Sequence, residues 1–355
     1  MTEINPIAPV MVTGATGYLA GVVVKQLLEA GYVVHAPVRD PDNADKVKHL
    51  NAVAAGCSGQ IHYFKADLMD EGSYNEAMQG CELVIHTASP FLTHVKDPQR
   101  QLIEPAVNGA RNVMEAANAS PSVKRVVMTS SMAAIYSDNA EIAKQPGGVL
   151  TEDMWNETAT LEHQPYSLSK TLAEKAAWEI ADAQERWDLV VINPSFILGP
   201  GINPNARGES FEIMKTFGDG TMASGAPKMG IGVVDVRDVA DAHIKAGFTP
   251  GAKGRHIISG HNTDFPEMAA ILRERFGDDY KFAKSILPKF MVWLVGPMLN
   301  AALTRKVVSL NVGHAFKADN SKSIRELGMS YRPMKDSLVD IFQQLVDTGR
   351  VKPCK

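Results

Sequence analysis

The chain has 355 residues, 45% of them hydrophobic and 21% charged, with a formal net charge of −4. This length exceeds that of a single ordinary core, so one large α/β unit or a core domain with an attached lobe is expected, and the charge gives no electrostatic reason to expect nucleic acid. Cys57, Cys81 and Cys354 lie far apart with no histidine completing a zinc spacing, which points to neither a disulfide framework nor a metal and fits a reducing compartment.

Met1–Pro9 carries no basic flank and no long apolar run, so no secretory signal is read there and a cytoplasmic location is expected. Short β-branched runs then alternate with amphipathic stretches. Strands are predicted at Val10–Thr13, Val33–Val38, Ile61–Lys65, Leu83–Thr87, Arg125–Thr129 and Leu189–Asn193, and helices at Leu19–Ala30, Tyr74–Gln79, Gln99–Ala119 and Tyr166–Ala181. This pattern is that of a doubly wound parallel sheet, a Rossmann-type α/β fold.

After Pro194 the sequence loosens into Gly- and Pro-rich segments, where a smaller lobe begins. The expected division is a dinucleotide-binding domain over 1–195 with a returning segment at 233–260, and an interdigitated C-terminal substrate lobe over 196–232 and 261–355. The most apolar run, 290–299, is interrupted by Pro297 and is too short for the ~20 residues of a membrane span, so it reads as a buried helix or a pocket wall. Phe91, Phe211, Met214, Met222 and this run are candidates either for lining an apolar substrate pocket or for plain core.

The turn after the first strand, Thr13-Gly14-Ala15-Thr16-Gly17-Tyr18-Leu19-Ala20, has the form of a strand-to-helix pyrophosphate cradle. Thr13, Gly14, Thr16, Gly17, Tyr18 and Leu19 are therefore candidate cofactor contacts. At the end of the second strand, where a carboxylate would mark NAD, the chain has Arg39, whose guanidinium suits a 2′-phosphate, and Lys46 follows in the next helix. NADP(H) is the expected cofactor. Pairing of Arg39 with Asp40 or Asp42 is the alternative. Asp67 and Leu68 follow the third strand as an adenine contact or a simple helix cap, and Thr87, Ala88 and Ser89 follow the fourth.

Thr129 and Ser130 close the fifth strand on the same ligand-facing edge, followed by Ser131. Tyr166 and Lys170 stand one helical turn apart, so their side chains share a face. A phenol titrates near ~10, and a neighbouring ammonium is expected to stabilise its phenolate. Ser131 would bind a carbonyl oxygen and Tyr166 would protonate the developing alkoxide as hydride arrives.

VTGATGYLA (12–20), VRDP (38–41), VIHTASPF (84–91), TSSMAAIY (129–136), YSLSKTLAEKAAW (166–178), INPSFILGPG (192–201) and VDVRDVADAH (234–243) together resemble the extended short-chain dehydrogenase/reductase family. The resemblance is to the branch of dihydroflavonol reductases, cinnamoyl-CoA reductases and methylglyoxal or aldehyde reductases. It implies Ser131, Tyr166 and Lys170 as the catalytic triad and Arg39 and Lys46 as 2′-phosphate contacts. It also implies that Pro194, Ser195 and Phe196 border the nicotinamide. The family's fourth catalytic asparagine falls at Ala106, with Asn108 out of phase. His163-Gln164-Pro165-Tyr166-Ser167 replaces the tryptophan- and cysteine-containing block of cinnamoyl-CoA reductases, which argues against a CoA thioester.

The reading is thus an NADPH-dependent aldehyde or ketone reductase acting on a small molecule as a monomer or homodimer, with no metal, nucleic acid or membrane partner. An NAD-linked hydroxysteroid dehydrogenase, a nucleotide-sugar epimerase and a non-catalytic NADP(H) sensor are the alternatives. His86 and His243 are assigned to packing or cofactor-side structure, while His163 is read as structural or solvent-exposed, with a place facing the pocket as the alternative.

Overall fold

The computed structural model describes residues 1–89, 95–206, 208–299 and 302–354, and of Leu299 the backbone alone. Its first half alternates strand and helix: β1 (Val10–Thr13), α1 (Tyr18–Glu29), β2 (Val33–Val38), α2 (Ala44–Ala54), β3 (Gln60–Lys65), β4 (Leu83–His86), α3 (Glu104–Ala119), β5 (Arg125–Thr129), α4 (Asn139–Ile142), α5 (Pro165–Asp182) and β6 (Asp188–Pro194). The second half is more broken: β7 (Phe196–Leu198), α6 (Glu209–Gly218), β8 (Ala226–Pro227), β9 (Gly230–Asp235), α7 (Val236–Phe248), β10 (Gly254–Ile258), β11 (His261–Asp264), α8 (Phe265–Phe276), β12 (Ile286–Leu287), α9 (Lys289–Leu299), α10 (Arg305–Asn311), α11 (Ser321–Leu327) and α12 (Met334–Asp347).

Seven parallel strands form one sheet in the order β3-β2-β1-β4-β5-β6-β10. Successive residues of β1 point to opposite faces, so Val10 and Val12 join a core with Val23, Leu27 and Val239, while Met11 joins a second with Val113 and Ala177. Helices α1, α2 and α7 thus cover one face, and α3 and α5 the other. The strand order reverses between β1 and β4, which opens a crevice at their carboxyl ends, the usual ligand position in such sheets.

The smaller lobe has a three-stranded sheet, β7-β9-β11, and a core in which Phe217, Phe265, Phe342 and Tyr280 pack together. Residues 233–235 pair with β7 and residues 230–233 with β11, and the chain re-enters the large sheet through α7 and β10. Tyr18 and Asp235 are among the groups that tie the lobes. The Tyr18 hydroxyl donates to the Gly199 carbonyl at 2.5 Å, and Asp235 accepts from Arg237 and from the Ser337 hydroxyl of α12.

Three sequence expectations need correction. The predicted helix over Tyr74–Gln79 is a run of turns, because Gly72 and Gly80, both with φ of 75°, bracket a segment too short to propagate a helix. The helix expected from Gln99 begins as a π-turn over Gln99–Ile103, since Pro105 has no N–H to donate back. Over 290–298 the run is not a buried helix: Phe290 is 70% and Met298 85% exposed, while Val292 packs against Val308 and Val312. Phe211 and Met214 are core of the smaller lobe, Met222 packs against them half-buried, and Phe91 lies outside the described residues.

Arg125 is fully buried at the start of β5, donating to both carboxylate oxygens of Asp188 at 2.7 and 2.9 Å and to the Ala246 and Thr249 carbonyls. Arg125→Leu removes every one of these donors and leaves the carbonyls dry, so chemical denaturation is expected to register a loss of about 3 kcal/mol.

Candidate active site

The cradle begins with Thr13, whose hydroxyl accepts from the backbone N–H of Thr87 and of Ala88, both at 3.1 Å. With its lone pairs used, that hydroxyl donates to Nδ1 of buried His86 at 2.9 Å. Burial, followed by the charge of Lys170, pushes His86 down to about 3, so it stays a neutral acceptor. The ends of β1 and β4 are thereby locked together, and Gly14, with φ of 69°, passes so close that a Cβ there would stand 3.1 Å from the Ala88 Cα.

Gly14, Thr16, Gly17, Tyr18, Leu19, Arg39, Asp67, Leu68, Thr87, Ala88 and Ser89 line one cavity of about 820 Å³. Asp67 accepts from the Met69 backbone N–H at 2.9 Å, shaping the loop. Leu68 lies against α3 at Gly109, where a Cβ would meet its Cγ at 2.5 Å. Arg39 is exposed on the cavity wall and, among the described residues, forms no ion pair with Asp40 or Asp42. Lys46 is exposed on the first turn of α2 and is not part of the lining, and Thr13 serves from behind it. Tyr74, Arg100, Gln101 and Pro105 also line it; no motif spacing marks them, because they arrive from turns, from the π-turn and from the start of α3.

At the chemical end, Ser131 follows β5 and caps the next short turn by accepting from Ala133 N–H at 3.1 Å. Its side chain also faces the Tyr166 hydroxyl of α5, near enough to favour the phenolate. The Lys170 ammonium donates to Ser89 at 3.0 Å on the cavity wall, and lies 5.9 Å from the Tyr166 ring centre. Cavity and triad are therefore contiguous. Asn108 is exposed on α3 and Ala106 is buried there, so the helix brings no asparagine to the triad.

The electrostatics differ from the sequence expectation. Desolvation, then the Glu209 carboxylate of α6, lifts the Tyr166 hydroxyl to about 12, with the Ser131 side chain pulling the other way. Because 39% of Tyr166 is accessible, water in the cleft weakens that desolvation. Lys170 is lowered to about 8 by desolvation, with Glu174 opposing it. The ammonium is thus directed at Ser89 rather than at the phenol oxygen.

Glu174 is the site residue that motif reading missed. It lies one turn beyond Lys170 on the same face of α5, and this i, i+4 continuation is the signal that would have found it. Fully buried, it accepts from Arg255 Nε of β10 at 2.6 Å, from Ser130 at 2.5 Å and from Asn193 of β6 at 2.9 Å; Asn193 also donates to the Ser131 carbonyl. Ser130 is consequently held inward. Thr129 is held too, donating to Nε2 of His243, whose Nδ1–H bonds the Val239 carbonyl at 2.7 Å. Pro194, Ser195 and Phe196 span the junction of β6 and β7, and the Ser195 hydroxyl is buried with no partner among the described residues. His163 is buried and structural, pairing with Asp138 at 2.6 Å.

Residues 10–258 match the NAD dependent epimerase/dehydratase family. The chain belongs to that family. Within it, the chain falls in the extended reductase branch: it is 40% identical over 270 residues to cinnamoyl-CoA reductase CAD2 of Medicago truncatula, covering 75% of this chain and 80% of that one. It is 33% identical to tetraketide alpha-pyrone reductase 1 of Arabidopsis thaliana, over 96% of each. The solved structure of yeast methylglyoxal/isovaleraldehyde reductase Gre2 complexed with NADPH superposes with a TM-score of 0.74 at 26% identity, covering 97% of this chain and all of that one.

Glu174→Ala would leave the Arg255 guanidinium buried and unpaired. Thermal and chemical unfolding are expected to report destabilisation of about 3–5 kcal/mol, with Glu174→Gln losing clearly less because it still accepts a hydrogen bond.

Proposed function

We propose that this chain is an NADPH-dependent carbonyl reductase, converting an aldehyde or ketone to the alcohol. The observation that carries this reading is the contact of Lys170 with Ser89, which makes one continuous site of the cavity and the Ser131–Tyr166 pair. The cavity fits a dinucleotide: glycine leaves the backbone bare at Gly14 and Gly17, the N-terminus of α1 opens onto it, and Arg39 brings a free guanidinium where a ribose 2′-phosphate would lie. NADPH supplies a hydride when bound. Similarity to reductases, including one solved with NADPH, supports the same cofactor.

In this reading Ser131 donates a hydrogen bond to the carbonyl oxygen and fixes it beside the Tyr166 hydroxyl. The carbon becomes electrophilic, and the proton of Tyr166 passes to the oxygen as negative charge builds there. Lys170, moving its ammonium toward the phenolate, stabilises the charge that remains. Pro194, Ser195 and Phe196 border the reacting end, with segments 196–232 and 261–355 forming the substrate lobe. Lys46, although off the cavity wall, is near enough in sequence to reinforce Arg39 as a long-range charge.

Three outcomes are expected. Tyr166→Phe should lower turnover with NADPH by ~10²-fold or more while cofactor binding, followed by fluorescence, persists. Arg39→Ala should raise the KM for NADPH by about tenfold and leave that for NADH nearly unchanged. Lys170 loses its proton as pH rises through about 8, well below the value for Tyr166, so kcat/KM should fall on the alkaline side near that pH. An activity flat across that range would separate Lys170 from the reaction.

A further inference from the structure

The segment from Tyr280 to Ala318 differs from the rest of the chain in charge. Within a protein of net charge −4 it contains Lys281, Lys284, Lys289, Arg305, Lys306 and Lys317 and no aspartate or glutamate. All six cations are exposed; Lys284 is the one that reaches back to an acid, Asp278, at 2.7 Å.

Among the described residues, the same segment carries the largest group of exposed apolar side chains. Helix α9 turns Val292 and Gly296, four residues apart, toward α10, where Val292 packs with Val308 and Val312. The opposite arc is apolar throughout: Phe290 is 70% exposed, Leu294 57% and Met298 85%, flanked by Met291, Trp293 and Val295. Arg305 stacks over the Trp293 ring at 4.6 Å, holding a cation at the edge of this face. Lys289, at the start of the helix, donates to the Ser309 carbonyl, pinning the hairpin of α9 and α10 closed.

We infer that the α9–α10 hairpin docks this protein on an anionic phospholipid surface, with the apolar arc of α9 in the acyl boundary and the surrounding lysines and Arg305 among the headgroups. An amphipathic helix with aromatic and aliphatic residues on one arc and basic residues at its border lies in the plane of such an interface. Among the described residues no helix is long and apolar enough to cross a membrane, so the contact is peripheral. Charge decides against the other obvious occupant. A two-fold dimer through this patch would set Lys289, Arg305 and Lys306 against their own copies, whereas anionic headgroups complement them.

The test uses the full chain in vesicle flotation, comparing phosphatidylcholine vesicles with vesicles that also contain phosphatidylserine. Binding to the phosphatidylserine vesicles should exceed that to neutral ones by on the order of tenfold, and should weaken as salt is raised. Trp293 emission should shift to the blue on binding, with Trp293→Phe as the blank. Leu294→Gln with Met298→Gln should abolish flotation without lowering the thermal midpoint, and Arg305→Glu with Lys306→Glu should weaken it at least tenfold. The inference is overturned by absence of flotation, by equal binding to neutral vesicles, or by flotation that survives the apolar substitutions. Concentration-dependent dimerisation that the apolar substitutions abolish would also overturn it, assigning the face to a second copy.

Discussion

One buried carboxylate organises the chemical end of this molecule. Glu174 takes hydrogen bonds from β5, β6 and β10 at once, through Ser130, Asn193 and Arg255, and stands a single helical turn from Lys170. A charge so deep in protein is tolerable only when paired and fully bonded, and here the pairing partner is the guanidinium of the sheet's edge strand. Since Asn193 also holds the Ser131 carbonyl, the position of Ser131 relative to α5 is set by the same group. The triad is therefore a property of three strand ends and a helix drawn to one carboxylate.

The cofactor end rests on a different device, the coupling of β1 to β4. Thr13 uses its hydroxyl for two backbone donors and His86, bringing the strand ends to a spacing that only glycine at position 14 accommodates. Tyr18 then passes from the first turn of α1 to the Gly199 carbonyl and lies edge-on against Phe211 at 5.0 Å, so the smaller lobe is anchored at the cavity mouth. Burial and the nearby Asp235 carboxylate hold the Tyr18 hydroxyl well above its ordinary value, which keeps it a neutral donor at any working pH. The two ends meet at Ser89 and Lys170.

Much of this was readable from residue spacing. The parallel sheet follows from continuous apolar strands, and the glycine turn, Arg39 and the Tyr166–Lys170 pair all fall where their motifs suggest. What escaped depends on contacts between distant segments. Arg255 and Glu174 are 81 positions apart, and nothing local in either announces the other. The electrostatic surroundings of Tyr166 are not legible in its own helix, because burial first and then the Glu209 carboxylate of α6 raise its hydroxyl. The 290–299 run departs for the opposite reason: hydrophobicity suggests burial, yet among the described residues α9 buries Val292 against Val308 and Val312 and leaves Phe290, Leu294 and Met298 in solvent.

Hydride transfer from the cofactor to a carbonyl carbon is the step on which the proposed activity turns. That is measured by incubating the protein with NADPH deuterated at nicotinamide C4 and a panel of aldehydes and ketones, then locating the label in the product. The expected result is deuterium on the carbinol carbon, delivered from one face of the nicotinamide and lost in step with turnover for Tyr166→Phe. An unlabelled product, or isomerised substrate with no net consumption of NADPH, would contradict it.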